Sequence, residues 1–536
     1  MKATACENYV FVKLHLIHIN RKTDKFVRLS WGVLLGGWGM CSQTDAGWFS
    51  SDCKNHKARR PNAASTHRAG IFCAGLFVAL ILAASQPANA LPSFARQTGQ
   101  PCGTCHTDYP GLTPFGRLFK MNGYTTGGGP FRTTLFPSGT DPKRDLAAYA
   151  KSHNGATLTN PNGPHDTSNI WVPPISAMGV FGYTHTDAPQ AGMYPYNPND
   201  NFTVPQVSLF WGGAITQHIG AFSQWTYDGF QAWGWDNQDF RYSNTATLGG
   251  MDVIYGLSTD NNPTMGDPWN TVAAWWFPYM SSNVAPDPGV GTLLDGTYAQ
   301  EAGGAGAYAF FNNLVYLQVS GYKSINHNAL AKLGADPFGA PVIDGIAPYW
   351  RAAIEPHWGN HWLEFGTFGM VARVHPWNTA IEGQTYTGTD RYTDIGLDTQ
   401  YQYQGYNYWV TLRGTYIHED QSLDTSFATG NASNPTNTLN SLKLYGSLAY
   451  GNDNRVVLSG QYFDVWGSTD ALFYAGNTNG FTAELAYIPF ISSQSPVWPW
   501  ANARIALQYT YYNEFDGDTV HAHDNNTLFL YAWLAM

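Results

Sequence analysis

From about Ile175 to the carboxyl terminus, apolar and polar side chains alternate with a period of two residues. In residues 441–450, three leucines, a glycine and a tyrosine fall on one face, while two serines, a lysine, a tyrosine and an alanine fall on the other. This is the period of a β-strand, because successive side chains of a strand point to opposite sides of the sheet. Residues 408–415 and 502–511 repeat the pattern, each with an arginine on the polar face. The pattern predicts many strands with one apolar and one polar face.

The connections between these strands are predicted to alternate between short and long. Short turns are predicted near Gln217, Gly249, Gly359, Gly405 and Asn452. Long loops are predicted near 188–203, 260–296, 324–346, 376–392, 421–438, 467–478 and 514–525. Such alternation is typical of an up-and-down barrel with small periplasmic turns and large extracellular loops. Reading Asn312-Asn313 as a further turn gives about sixteen strands, and an even number places both barrel termini on the periplasmic side.

Composition favours a barrel in a membrane. Charged residues make up only 12% of the chain, whereas soluble domains carry roughly 25%. Aromatic residues reach 15%, and after residue 90 no apolar run attains the about 20 residues that a membrane helix needs. A secreted β-sandwich is the soluble alternative, but it would need more charge on its outer faces. The fold class is therefore predicted as all-β, a transmembrane up-and-down β-barrel over residues 175–536, whose run Asn526–Met536 is the closing strand.

The first ninety residues are predicted to contain a signal for export rather than part of the folded protein. Residues 56–90 read as a signal peptide, with a basic region, an apolar run and the cleavage motif Ala88-Asn89-Ala90. The mature protein would start at Leu91, and residues 1–55 read as an upstream extension or a misassigned start. Residues 91–536 hold 17 basic and 34 acidic residues, a formal charge of −17, which disfavours nucleic acid as a partner.

Only two of the six cysteines follow residue 90, and they form the motif Cys102-Gly-Thr-Cys105-His106. This spacing is that of covalent c-type haem attachment, in which both thiols bind the porphyrin and His106 is the proximal iron ligand. A thioredoxin-like pair would need a βαβ context, but the neighbourhood is rich in Pro, Gly and Thr. A zinc site would need about four ligands, and no second cysteine pair exists after residue 90. The motif predicts one haem c.

The sequence does not determine the distal iron ligand or the partners of the haem propionates. Met121 is the first candidate for the distal iron ligand, and it would raise the reduction potential. Further candidates are His153, His165, His185, Met178, Met193, His357 and His361. Cationic side chains near the motif are candidate partners of the haem propionates, and anchoring to acidic residues of the lumen is the alternative for each. These are Arg96, Arg117 and Lys120.

The stretch 94–124 resembles the outer-membrane fused monohaem cytochrome–porins of iron-oxidising bacteria, the Fe(II) oxidase type. The residues that carry the resemblance are Phe94-Ala95-Arg96-Gln97-Thr98-Gly99, Cys102-x-x-Cys105-His106-Thr107 and Leu112-Thr113-Pro114-Phe115-Gly116-Arg117-x-Phe119-Lys120-x-x-Gly123-Tyr124. It implies a monohaem cytochrome c domain and plug or linker over residues 91–174, lodged in the barrel lumen. It further implies electron transfer from extracellular Fe(II) to a periplasmic c-type cytochrome or cupredoxin, that is, an Fe(II):cytochrome oxidoreductase.

The residues themselves leave the function open between classes. Acidic loops such as Glu514–Asp518 would attract Fe(II), a cation that accepts carboxylates, but no dedicated iron-binding motif stands out. One alternative is a solute porin whose haem is structural or sensory. Another is the same conduit with a different extracellular electron donor. Each alternative places the protein in the outer membrane of a Gram-negative bacterium.

Overall fold

The structure is a computed structural model that describes residues 91–536, apart from 99, 126–173, 192–195, 217, 231, 337, 382 and 474–475. These residues lie in the second of the two units into which the chain divides, Ala84–Met536. The predicted upstream extension and signal peptide lie outside the described residues, as do most of the predicted linker and the candidate ligands His153, His165 and Met193. Within the described ranges, no helix has the length and apolar character needed to cross a membrane.

In the part of the chain that the structure describes, eighteen antiparallel strands form one sheet, in which sixteen are long and two, β8 and β10, have two residues each. The first nine are β1 Ile175–Thr186, β2 Asn201–Ala214, β3 Ile219–Tyr227, β4 Trp233–Leu248, β5 Met251–Asp260, β6 Ala302–Phe311, β7 Val315–Ser324, β8 Val342–Ile343 and β9 Ala347–Ile354. The others are β10 His357–Trp358, β11 His361–His375, β12 Asp390–Gln404, β13 Tyr408–Ser422, β14 Thr436–Tyr450, β15 Arg455–Gly467, β16 Thr478–Ile488, β17 Asn502–Glu514 and β18 Thr527–Ala535.

Short helices lie before and between the strands. They are α1 Pro92–Thr98, α2 Cys102–Cys105, α3 Pro114–Met121, α4 His327–Leu333 and α5 Asp424–Ala428, with 3₁₀ turns at Ala273–Trp275 and Ala522–Asn525 and a π turn at Leu293–Thr297.

The sheet closes on itself into a barrel. Each long strand pairs with its neighbour in the chain, and β1 pairs with β18 in a register that runs from Met178↔Ala535 to Thr186↔Thr527. The predicted sixteen-stranded up-and-down barrel and its closing carboxyl-terminal strand are therefore confirmed. The turn at Asn312-Asn313 is confirmed as well, since both residues have positive φ, 49° and 53°, as a type I′ hairpin turn requires.

The outer surface of the barrel is apolar and the inner surface is polar. On β14, Leu444 and Leu448 are 50% and 44% exposed, while Ser441 and Ser447 on the opposite face are buried. The same alternation places half-exposed leucine, isoleucine, valine and aromatic side chains around the outside; examples are Leu209, Phe240, Leu257, Val319, Phe365, Leu397, Leu412, Leu458, Leu485, Leu507 and Leu530. An apolar belt around a closed barrel is the surface that a bilayer covers. The barrel therefore spans a membrane.

Short connections gather at one end of the barrel and long ones at the other, as predicted, with three differences. The connection between β3 and β4 lies at the long-loop end but has only five residues. Residues 489–501, between β16 and β17, form a longer connection at the short-turn end. Residues 261–301, expected as an outer loop, instead fold into the lumen, and we call them the in-folded loop. Inward side chains of three strands hold its carbonyls: Thr415 Oγ1 donates to Thr271 O at 2.5 Å, Gln461 Nε2 to Phe277 O at 2.9 Å and Gln508 Nε2 to Met280 O at 3.0 Å.

Candidate haem-binding site

The second occupant of the lumen is the stretch 91–125, which we call the amino-terminal segment. Its helices begin where the sequence allows: proline occupies the first position of α1 and of α3, where no amide hydrogen is needed. Thr113 caps α3, since its Oγ1 accepts a hydrogen bond from Gly116 N at 3.1 Å. Every residue of α3 is buried. The helix is therefore enclosed by the barrel.

Buried side chains of the barrel wall fasten the backbone that follows the cysteine motif. Arg455 donates to His106 O at 2.8 Å and also to Thr107 O. Arg504 Nη1 donates to Tyr109 O at 2.6 Å. Buried carbonyls need such partners, because in their absence the lost solvation is not replaced. The sequence pattern placed Arg504 on the polar face but did not show that these arginines hold the site.

The three cationic side chains predicted near the motif have different partners. Arg96 donates to Ile175 O at 2.6 Å and lies 5.0 Å from the Trp500 ring centre. Arg117 forms a buried ion pair with Glu355, as the anchoring alternative describes. Lys120 Nζ donates to Asp267 O at 2.9 Å and lines the cavity described below. Of the three, Lys120 alone lines that cavity and can face a ligand in it.

Cys102 and Cys105 lie at the two ends of the single helical turn α2, closed by His106 N donating to Cys102 O at 2.9 Å. Both are free thiols, and their partly exposed surface faces a cavity inside the barrel. Burial raises the pKa of Cys102 to about 11 and that of Cys105 to about 12. The two side chains are therefore protonated at neutral pH and available for addition to a vinyl group.

His106 has its Nδ1 atom 3.1 Å from Pro110 O and 3.3 Å from Gly111 O. A carbonyl only accepts, so Nδ1 carries the proton and Nε2 keeps its lone pair. Burial lowers the pKa of His106, which favours the neutral ring. A neutral imidazole whose second nitrogen is fixed by a backbone carbonyl is the form in which histidine ligates metals.

The cavity holds about 1140 Å³ of space, including some that is open to solvent. Cys102, Cys105 and His106 line one part of it, and aromatic rings line much of the rest; they are Phe94, Tyr109, Phe119, Tyr124, Phe210, Phe222, Trp275 and Trp533. Most of its lining residues belong to the amino-terminal segment, and the barrel strands contribute Met178, Phe210, Phe222 and Trp533 near the short-turn end, where β1 begins and β18 ends.

These residues fit a covalently bound haem. Two free thiols one helical turn apart, a histidine with a free Nε2 and a large aromatic cavity are the groups that such a cofactor needs. The cavity is also lined by an unsatisfied hydrogen-bond acceptor, since Asn270 Oδ1 is buried and has no hydrogen-bond partner. Gly116 allows α3 to lie close to the motif, because a Cβ there would be 2.3 Å from Cys105 O.

Most of the predicted distal ligands do not line this cavity. Met121 is 1% exposed, packs with Leu118 and Trp269, and lines a smaller separate cavity. The histidines at 185, 357 and 361 do not line the cavity that contains Cys102, Cys105 and His106; His185 forms a hydrogen bond with Asp200, and His361 forms one with Tyr401. Of the predicted candidates within the described residues, Met178 alone lines it.

Other functional residues were missed from the sequence because they lie far away along the chain. Met265 and Trp275 line the cavity from the in-folded loop. Nothing in their local sequence indicates that this loop enters the lumen. Within the described ranges, no group of three or more His, Cys, Asp or Glu side chains is placed to hold a metal ion.

No protein-family model matches the chain, and no curated protein matches it. Among solved structures, the loop L8 deletion mutant of the outer-membrane protein OmpT from Vibrio cholerae matches 68% of this chain and 98% of its own, at 10% identity and a TM-score of 0.39. OprB of Pseudomonas putida matches 67% and 92%, at 11% identity and a TM-score of 0.40. OmpF of Salmonella typhi, solved in a complex with daunomycin, matches 68% and 97%, at 11% identity and a TM-score of 0.36.

Because these identities and TM-scores are low, the matches carry no argument about function. The strand pairing and the apolar outer belt establish the architecture from the chain's own residues. That architecture is a porin-like outer-membrane β-barrel.

Proposed function

We propose that the protein is an outer-membrane electron conduit with one covalently bound c-type haem inside its barrel. Electrons would come from extracellular Fe(II) and pass to a periplasmic c-type cytochrome or cupredoxin. One observation carries the proposal: Cys102, Cys105 and His106 line a large aromatic cavity within the lumen. A carrier held there would bridge an apolar band about 25 Å tall that electrons do not cross alone.

The residues of the site have separate tasks. Cys102 and Cys105 would each add their S–H across a vinyl group, forming two thioether bonds without net oxidation. His106 would ligate iron through Nε2 while its Nδ1–H stays on the backbone carbonyls. Aromatic side chains form an apolar wall around the cavity, and Arg455 and Arg504 hold the ligating stretch in place. Haem bound there supplies a one-electron carrier whose potential the surrounding protein tunes.

The filled lumen favours a conduit over a solute pore. The amino-terminal segment occupies the short-turn end, and the in-folded loop bonds to inward side chains of β13, β15 and β17. A porin that passes solutes leaves an aqueous channel through its lumen. Two packed segments inside the barrel support electron transfer as the task of this one.

Inward carboxylates also lie between the long-loop end of the barrel and the amino-terminal segment. Asp394 and Asp398 point inward from β12, whose Gln402 donates to Leu112 O of the amino-terminal segment. The rise of about 3.3 Å per residue places Asp398 roughly 13 Å along the strand from Gln402. Asp398 is paired with Arg351, and Asp394 accepts a hydrogen bond from Leu294 N at 2.8 Å, so these carboxylates stabilise the packing of the lumen and do not identify the donor.

The acidic loop at the outer end has a lesser part in this proposal. Asp518 accepts hydrogen bonds from Val520 N at 2.7 Å and His521 N at 3.0 Å, and Asp516 accepts one from Gly289 N at 3.0 Å. Asp518 therefore stabilises its own turn, Asp516 holds the in-folded loop, and both would attract Fe(II) only at long range. The choice of Fe(II) as donor rests mainly on the resemblance to the cytochrome–porins.

Haem attachment is the first test of the proposal. Protein matured in a haem-ligating host should give a peroxidase-active band on a denaturing gel, and Cys105→Ala should lose the second thioether bond and weaken or abolish that band. Thr104→Ala changes a spacer residue of the motif and should keep it. A wild-type protein without such a band would overturn the proposal.

The donor and the competing solute-porin function are tested on the haem-loaded protein. Stopped-flow absorbance should show faster reduction by Fe(II) than by sulfide or by an electrode-coupled dye. Liposomes that carry the protein should not swell in small sugars. Sugar influx without haem reduction would favour the porin, and reduction with no preference for Fe(II) would favour a different donor.

A further inference from the structure

The structure leaves the sixth iron position to be assigned, because Met121 does not line the haem cavity. We propose that Met265, on the in-folded loop, is the distal haem ligand. The proposal rests on the proposed function, since it presupposes a haem held by Cys102, Cys105 and His106. It makes the site a joint construction of the amino-terminal segment and a loop of the barrel.

Met265 is in the right place and the right environment. Its side chain is 2% exposed and lines the same cavity as the cysteine motif. It belongs to the apolar cluster that also contains Tyr109, Phe119 and Tyr124 of the amino-terminal segment. A thioether in such surroundings would be a soft ligand for the iron, and a methionine that completes ligation together with histidine raises the reduction potential.

The backbone around Met265 is fixed from two sides. Met265 N donates to Asn262 O at 2.9 Å within a turn of the in-folded loop. Its carbonyl accepts a hydrogen bond from Arg241 Nη2 at 3.3 Å, and Arg241 is itself held by a buried ion pair with Asp239. The side chain therefore projects from a firmly positioned stretch of chain.

The other donor atoms around the cavity are engaged or less suitable. Met178 Sδ accepts a hydrogen bond from the Trp533 indole at 3.1 Å. Lys120 Nζ is occupied by Asp267 O at 2.9 Å. Asn270 offers an amide oxygen, a harder ligand than the thioether sulfur that commonly completes haem ligation. Within the described residues, the Met265 sulfur is the thioether lining the cavity for which no hydrogen bond is found.

The test compares three methionine-to-leucine variants in the full-length, haem-loaded protein. Leucine conserves volume and removes only the sulfur. Met265→Leu should keep the covalent haem band on a gel, lose the far-red charge-transfer absorption of methionine-ligated ferric haem, and lower the midpoint potential. Met178→Leu and Met121→Leu should keep both the absorption and the potential.

The outcomes separate this proposal from the function that it rests on. A wild-type protein without covalent haem would overturn the proposed function. Covalent haem without the methionine absorption in wild type, or with the absorption retained in Met265→Leu, would leave that function standing and overturn the ligand assignment. Loss of the absorption in Met121→Leu or Met178→Leu alone would assign the ligand to that residue instead.

Discussion

The ion pair between Arg117 and Glu355 is expected to be the strongest single fastening of the amino-terminal segment to the barrel. The two side chains are 1% and 8% exposed. Arg117 also donates to Gln402 Oε1 at 2.6 Å, and Glu355 accepts from Trp269 Nε1 at 2.7 Å. Replacing Arg117 by leucine leaves a buried carboxylate without its cation. Breaking a buried pair in this way costs about 3–5 kcal/mol.

A cost of this size lowers the docking equilibrium of the segment by about two to nearly four powers of ten. Most of it is the uncompensated charge rather than lost attraction, so a second change should restore most of the stability. In Arg117→Leu/Glu355→Gln the charge is gone and an amide oxygen still accepts from Trp269. We expect this double variant to lie within about 1 kcal/mol of wild type, the net worth of an ordinary hydrogen bond.

Docking is measured as the urea dependence of protease cleavage within residues 91–125, while the barrel stays folded in detergent micelles. The single variant should be cleaved at much lower urea than wild type, and the double variant close to wild type. A cost below about 1 kcal/mol for Arg117→Leu would show that water reaches Glu355. A double variant as weak as the single one would refute the charge argument itself.

Three further predictions concern the motif and the barrel. Gly116→Ala should cost about 1–3 kcal/mol and reduce haem attachment, measured by gel staining, since the new Cβ would meet Cys105 O. In haem-free protein, the rate of alkylation of Cys102 and Cys105 by iodoacetamide should rise about tenfold per pH unit from pH 8 to pH 10, because burial raises the pKa of each thiol to about 11 or above. For an ordinary thiol, the alkylation rate would level off near its pKa of about 8.5. Leu397→Lys should destabilise the barrel in lipid by about 2–4 kcal/mol in urea titrations, since this 60%-exposed side chain lies on the outer face in mid-strand.

Matched controls give each of these a contradicting outcome. Gly414→Ala places its Cβ 3.4 Å from Leu444, an ordinary contact, and should be neutral; equal losses at Gly116 and Gly414 would contradict the crowding argument. Ile346 is 72% exposed and immediately precedes β9, at the edge of the apolar belt, so Ile346→Lys should cost less than about 1 kcal/mol. A Leu397→Lys barrel as stable as Ile346→Lys would contradict a lipid-facing position. An alkylation rate that levels off by pH 9 would contradict burial of the thiols.

The barrel could be predicted from the sequence because the patterns that specify its strands and tight turns are local. The inward and outward residues of β14 follow from the period of two, and Asn312-Asn313 fits a turn because asparagine tolerates positive φ. The motif Cys102–His106 was readable for the same reason, since attachment chemistry fixes its spacing within five residues.

What the sequence did not predict depends on contacts between distant residues. The in-folded loop is a long connection without periodicity, and its inward course depends on hydrogen-bond donors such as Thr415 and Gln461 on later strands. The tautomer of His106 depends on a turn that brings Pro110 O to its ring. The separation of Met121 from the cavity follows from the direction in which α3 packs, which helical spacing alone does not determine.

The most direct measurement of the central claim is electron transfer across a sealed vesicle. Liposomes carrying the haem-loaded protein would enclose oxidised cytochrome c, with Fe(II) added outside and a chelator inside to report any leakage of iron. The proposed conduit predicts reduction of the enclosed cytochrome without iron entry, and no reduction with the haem-free Cys102→Ala/Cys105→Ala protein. An enclosed cytochrome that stays oxidised although the barrel haem is present, or one reduced equally well without haem, would contradict the account.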